Sequence, residues 1–396
     1  MNENIRERVL RVLAESPFIE SHNDAPIQLR ERSDNDLNSF DLNSFDFEDT
    51  TALEPPMHTD LKRLRAGGVG AQFWVAYVPF EVAGPGAARV MFEQLEVARR
   101  LVAAYPDTLQ PAFSADDIER IHAEGKIASL FAVEGGHGIE NSLGALRLAY
   151  QAGARYMTLL HSVHTDWADC AHLDPVHGGL TDFGREVVAL MNDLGMMIDL
   201  SHASADTMRQ TIEASKAPVA CTHSGAAAIL DYPRNVPDDV LKMIRDTGGI
   251  VMATFVPWFV SARVLEHRAG RLGSQARLME MHPDNAERRE RELAAWDADH
   301  PAPRATLGEV ADHIDYLCSV MGTEHVGIGA DFDGIDEVPE GLEDVSKFPD
   351  LFVELARRGY SDDQLRAIAG GNCLRVLRAV ESMAAQSGIS LPDKKR

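Results

Sequence analysis

Seven residues of metal-binding or proton-transfer type stand at the ends of short apolar runs in this chain. The first run closes on Ser21-His22-Asn23-Asp24, the third on Glu134, followed by Gly135 and Gly136. Later runs deliver His161, His202, His223 and Asp331. In an extended segment residues i and i+2 face the same way, so His22 and Asp24 can grip one ion. Each histidine alone reads as a hydrogen-bonded structural residue; the shared position at run ends points to a metal centre. Nitrogen and oxygen donors without thiolate suit zinc, with manganese or cobalt as alternatives. The donor count favours two ions: one on His22 and Asp24, one on His202 and His223, with Glu134 bridging. A water shared by two zinc ions ionises near neutral pH, and the ions polarise a carbonyl. That leaves His161 to donate a hydrogen bond to a developing oxyanion. Asp331 is left to take the proton from the water and pass it to the leaving amine.

Something must gather these ends. Eight runs read as buried strands: Phe18 to Ser21, Val69 to Val78, Ile127 to Val133, Tyr156 to Leu160, Met196 to Leu200, Val219 to Thr222, Ile250 to Phe255 and Val326 to Ala330. Helical spacing fills most of the intervals, as in Ala87 to Ala104. Near-continuous apolar strands alternating with helices predict parallel strands covered on both faces, hence a (β/α)8 barrel of TIM type. The competing architecture is a doubly wound open sheet. A barrel collects the C-terminal ends of all its strands on one face, where an active site forms.

The whole chain, 1–396, is read as one domain with two insertions at that face and helices at its C-terminal end, 348–385. Residues 31–56 form an acidic loop carrying a tandem duplication, Asp36-Leu37-Asn38-Ser39-Phe40 and Asp41-Leu42-Asn43-Ser44-Phe45. Residues 257–303, rich in Arg, Glu and Ala, predict one or two exposed helices. Met1 to Ser16 reads as an amphipathic helix, not a signal peptide.

Composition narrows the function further. The 396 residues carry 38 Lys+Arg against 62 Asp+Glu, a net charge of −24, with 45% hydrophobic residues. So much acid argues against nucleic acid or an anionic membrane as partner. No apolar run approaches the ~18–20 residues that span a bilayer. Cys170, Cys221, Cys318 and Cys373 lie far apart, which predicts reduced thiols and a cytoplasmic protein. Gly67, Gly68 and Gly70 lead into a strand instead of opening a helix, and Walker A, HExxH and GxSxG motifs are absent. His58, His122, His172, His177, His267, His282, His300, His313 and His325 fall in loops or helices, while His137 and His164 lie just past run ends.

The run ends and their surroundings resemble the renal (membrane) dipeptidase family, the binuclear-zinc dipeptidases of the amidohydrolase superfamily. The resemblance spans nearly the whole chain. It rests on His22-Asn23-Asp24, Val133-Glu134-Gly135-Gly136, Thr158-Leu159-Leu160-His161, Trp167-Ala168-Asp169 and Asp199-Leu200-Ser201-His202. It continues through Thr222-His223-Ser224, Arg234-Asn235-Val236-Pro237-Asp238-Asp239, Gly329-Ala330-Asp331-Phe332-Asp333-Gly334 and Gly371-Asn372-Cys373-Leu374-Arg375-Val376.

The resemblance implies that His22, Asp24, Glu134, His202 and His223 ligate two zinc ions, and that His161, Arg234 and Asp331 contact substrate. Arg234 would pair with the free α-carboxylate of a dipeptide, with L,L and L,D substrates both admitted. A homodimer is the assembly the family suggests. The sequence is read as departing from mammalian relatives, with no secretory signal, lipid-anchor tail or family disulfide cysteines expected, so membrane attachment is not carried over. Ser21 also stands where relatives commonly carry glycine. Another amidohydrolase reaction on the same metals, such as deamination, lactone opening or N-acyl amino acid hydrolysis, is the alternative. A non-catalytic metal-binding protein is the more distant one.

Overall fold

The structure, a computed structural model, describes residues 4–32 and 45–387. Strands β1 (Phe18–Asn23), β2 (Val69–Tyr77), β3 (Leu109–Pro111), β4 (Ile127–Glu134), β5 (Ala154–Thr158), β6 (Met197–Asp199), β7 (Ala220–Ser224), β8 (Ile250–Ala253) and β9 (Val326–Ile328) make one sheet, parallel throughout. Its order is β2-β1-β9-β8-β7-β6-β5-β4, and pairing of β2 with β4 closes it into an eight-stranded barrel. Helices fill the crossovers, the (β/α)8 architecture that the run pattern predicts.

All eight expected strands are present, with ends displaced by one or two residues. The ninth, β3, went unread because three residues carry no periodic signal. It lies outside the barrel, sharing one edge of β4 with β5: β3 pairs at Ile127–Ser129 and β5 from Phe131 onward.

Alternation hidden within the apolar runs aims the chemistry. On β4, Ala128, Leu130 and Ala132 fill the barrel interior with Phe73, Tyr156 and Met252, while Phe131 and Val133 pack in the larger core that includes the surrounding helices. Two residues beyond Ala132, Glu134 continues on the interior face. The C-terminal helix, Asn372–Ser387, adds Cys373, Leu374, Val376, Leu377 and Val380 to the interior cluster.

The N-terminal helix, Ile5–Glu15, is held by a capping box between Asn4 and Glu7. It buries Val9, Val12 and Leu13 but leaves Ile5 and Leu10 exposed. After β8 the chain forms a short helix, Pro257–Val260, then two long ones, Ala262–Met281 and Ala286–Asp299, that pack on each other. The long pair is mostly solvated, burying only Val264 and Leu278, as the charge pattern predicted. The duplicated stretch lies outside the described residues except for Phe45. No helix among the described residues is long and apolar enough to cross a membrane.

The loop after β7 is pinned from outside the barrel. His313, fully buried on the helix Leu307–Met321, accepts the Ala226 amide on Nδ1 at 3.0 Å. Burial holds its pKa down at about 4, below the ordinary ~6.5 of the unfolded chain. Its stabilisation is therefore complete above about pH 6.5 and lost as pH falls through about 4. Urea unfolding of the metal-free protein should show this loss, with His313 contributing up to roughly 3 kcal/mol. His313→Asn, which keeps an acceptor near Nδ1 but cannot take up a proton, should flatten that part of the pH profile.

Candidate metal centre and substrate cavity

The seven residues at the run ends converge on one volume at the C-terminal mouth of the barrel. Glu134 Oε1 lies 3.1 Å from His202 Nε2, 3.4 Å from His223 Nε2 and 3.5 Å from His22 Nε2. His22 Nε2 is also 3.5 Å from Asp24 Oδ2 and 3.9 Å from Asp331 Oδ1. His202 and His223 bring their Nε2 atoms within 3.0 Å of each other. Three overlapping donor sets result: His22, Glu134 and His223; Glu134, His161 and His202; His22, Asp24 and Asp331.

The donor set fits cations. His22 Nε2, Asp24 Oδ1 and His202 Nδ1 are buried without a hydrogen-bond partner. Orphaned buried polar atoms are costly unless an ion or another partner meets them.

Hydrogen bonding beneath the cluster selects the tautomers. The Tyr156 hydroxyl donates to the Ser21 carbonyl at 3.0 Å, so it accepts from His22 Nδ1 at 2.8 Å. Thr222 donates its hydroxyl to Asp199 Oδ2 at 2.8 Å and therefore accepts from His223 Nδ1 at 3.0 Å. Both imidazoles are left with an Nε2 lone pair facing the cluster, the form a metal requires. Asp199 is itself saturated, taking Thr158 Oγ1, the Thr222 amide and the Ser201 amide. The resemblance places Asp199 and Thr222 in motifs without a role; their signal is a polar residue embedded in an otherwise apolar strand.

Backbone geometry contributes too. His202, Asp331 and Asp333 adopt φ of +70°, +67° and +66°, a region sparsely populated by non-glycine residues. Gly334 touches both carboxylates at this corner, and a Cβ there would lie 2.4 Å from Asp24 Oδ2 and 2.5 Å from Asp331 Oδ1. Added Cβ atoms at Gly135 and Gly136, just past Glu134, would meet the His137 ring at 2.5 Å and the Leu159 carbonyl at 2.2 Å. Ser21, the departure from glycine, directs its hydroxyl at the carbonyls of Thr222 (2.7 Å) and Ile328 (3.0 Å), beside Gly329.

A cavity of about 200 Å³ opens over the cluster. Its wall includes Asp24, Glu134, His161, His202, Arg234 and Asp331, joined by Ile27, Gln28, Glu31, Tyr77, Phe259, Asp333 and Gly334. Arg234 is fully buried, with Nη2 3.3 Å from the His223 carbonyl and the guanidinium over the Phe259 ring at 5.2 Å. Its Nε and Nη1 have no partner, and burial lowers its pKa. A carboxylate would satisfy both donors. Burial, and next the Arg234 charge, hold His161 down at about 3, so its ring is neutral at ordinary pH. Burial drives Asp331 well above the ordinary carboxylate range. His137 and His164 line a neighbouring cavity of about 400 Å³ and stand outside the donor sets.

Residues 6–390 match the membrane dipeptidase family, peptidase family M19. The chain belongs to that family. It is 39% identical to Dipeptidase 3 of Rattus norvegicus over 388 residues, 97% of this chain and 69% of that protein. Dipeptidase aclJ of Aspergillus oryzae is 38% identical over 394 residues, covering 96% and 82% of the two chains. A metallopeptidase from Rhodobacter sphaeroides, solved with a phosphinate mimic of the dipeptide L-Ala-D-Ala, is similar at a TM-score of 0.71 and 25% identity, covering 92% and 99%. The dipeptidase PvdM from Pseudomonas aeruginosa, described as probable, shares the fold at a TM-score of 0.79, with 23% identity over 96% and 99%. Metal-dependent dipeptide hydrolysis is thus the chemistry of this member of the membrane dipeptidase family.

The tautomer network makes a separate demand. Thr222→Val keeps shape but removes the acceptor of His223 Nδ1, and should weaken metal binding by about 10–100-fold. Competition with a metallochromic chelator measures it; unchanged affinity would remove the network from the account.

Proposed function

We propose that His22, Asp24, Glu134, His202 and His223 hold two zinc ions, with Glu134 shared, and that the site hydrolyses dipeptides through His161, Arg234 and Asp331. The observation that carries this reading is the position of Glu134 Oε1 within 3.5 Å of three histidine Nε2 atoms. Nitrogen and oxygen donors without thiolate support zinc. When bound, such ions act as a Lewis acid toward the scissile carbonyl and make the attacking water more acidic.

The chain's own residues do the rest. Arg234 receives the C-terminal carboxylate on its unspent Nε and Nη1, which sets the distance from carboxylate to scissile bond and restricts the substrate to two residues. Neutral His161 donates a hydrogen bond to oxygen as negative charge develops there. Asp331 accepts a proton from the water and delivers it to the departing amine. Free Cys170, Cys221, Cys318 and Cys373 support a reducing, cytoplasmic location.

Asp331 lies within reach of the His22–Asp24 set, so its role needs separating from ligation. Asp331→Asn should retain both metals by elemental analysis while losing most of kcat; metal lost together with activity would make Asp331 a ligand. For Arg234, wild-type kcat/KM on a dipeptide should exceed that on its C-terminal amide by about 100-fold, the worth of a buried charge-assisted pair. Arg234→Ala should raise KM much more than it lowers kcat. Equal wild-type rates on acid and amide would remove the proposed role.

A further inference from the structure

The wall of the cavity that Arg234 lines contains a carboxylate that neither the proposed metal binding nor the proposed proton transfer uses. Helix Ala25–Glu31 follows β1 and carries Ile27, Gln28 and Glu31 along the cavity, at helical spacings that put them on one face. Of the acidic residues lining the cavity, Asp24 and Glu134 belong to the proposed ligands and Asp331 to proton transfer. Asp333 accepts the His58 amide at 2.7 Å. Glu31 remains, and no ion pair or hydrogen bond engages its side chain among the described residues. The adjacent cation, Arg32, donates its Nη2 to the Pro55 carbonyl at 2.7 Å. Burial, then the Asp336 carboxylate, raises the pKa of Glu31, against a lowering effect from Arg32.

The direction of the substrate follows from a different observation. Arg234 is fully buried, lines the same cavity and has two unpartnered donors, which places a carboxylate at that end. Arg234 follows β7 and Glu31 ends the helix after β1, so the two reach the cavity from different strand ends, while the donor sets come from the ends of β1, β4, β5, β6, β7 and β9. In the binding mode inferred here, a dipeptide with its carboxylate on Arg234 and its scissile carbonyl over the donor sets extends its N-terminal residue toward Gln28 and Glu31.

We propose that Glu31, with Asp336 behind it, selects dipeptides whose N-terminal residue carries a cationic side chain, lysine or arginine. The inference rests on the dipeptidase reading above and adds the substrate class. A lysyl ammonium at Glu31 gains a charge-assisted hydrogen bond to a partly desolvated carboxylate, which norleucine, with the same four carbons but no ammonium, cannot make.

The test compares kcat/KM for lysyl-alanine and norleucyl-alanine in the zinc-loaded enzyme. Lysyl-alanine should be favoured by about tenfold at low salt, as expected for a hydrogen bond between charged groups. The ratio should shrink at about 0.5 M salt, where exposed charges are screened. Glu31→Gln should bring it close to unity through a higher KM for lysyl-alanine, and Asp336→Asn should give an intermediate value. A wild-type ratio near one, or a ratio that survives in Glu31→Gln, overturns the proposal. A drop on both substrates alike in Glu31→Gln overturns it too, by showing that Glu31 holds the α-ammonium group they share. Norleucyl-alanine cleaved without lysyl preference leaves the dipeptidase reading standing, whereas cleavage of neither substrate removes both.

Discussion

The constraint on which this structure depends is electrostatic. Glu134, Asp24, His22, His202 and His223 are nearly or fully buried with their donor atoms turned on one another. Carboxylates and imidazole lone pairs so desolvated repel unless positive charge joins them. An apolar barrel interior would be simpler to build. Its mouth is instead lined with donors that bound cations would reconcile, and much of the local architecture serves to hold them apart from water and close to each other.

That holding is done in layers. Strand alternation carries Glu134 onto the interior face above Ala132 and Leu130. Beneath the ligands, Tyr156 and Thr222 commit the Nδ1 atoms of His22 and His223, and Asp199 commits Thr222 in turn. The left-handed backbone at His202 and Asp331 stores strain that the surrounding hydrogen bonds sustain: the His202 carbonyl accepts the Ala171 amide at 2.8 Å, and the Asp331 amide donates to the His22 carbonyl at 3.2 Å. Each device acts on orientation, the property that decides whether a buried lone pair meets an ion or another lone pair.

Charge is also unequal across the cavity. Arg234, over the Phe259 ring, gives the wall a buried cation, while Glu31, near Asp336, lines the same cavity with a carboxylate. On the proposed reading, a dipeptide with a cationic N-terminal side chain is polar in the complementary sense, with its carboxylate at one end and the side-chain charge at the other. The cavity would then orient substrate by its field as well as by contact.

By itself the sequence determined the fold class and picked out the residues proposed as metal ligands. Strand runs ending in His, Asp or Glu are a local pattern, and a barrel brings strand ends together whatever fills its loops. The family motifs then supplied Arg234, whose flanking residues read as an ordinary surface turn. Other features needed the tertiary structure because they are relations between distant residues. The His22 tautomer depends on Tyr156 of another strand, and the His223 tautomer on Thr222, whose hydroxyl is committed by Asp199 of the neighbouring strand. The crowding at 135 and 136 from the His137 ring and the Leu159 carbonyl shows only in the folded chain. β3 was too short for periodicity, and its existence depends on the edge of β4 that β5 leaves unpaired. Glu31 looked like one more acid in a solvated loop; only the helix that turns it into the cavity, which a buried arginine also lines, distinguishes it from its neighbours. Local periodicity encodes which face a residue takes, but burial and partnership are set by what the folded chain places against that face.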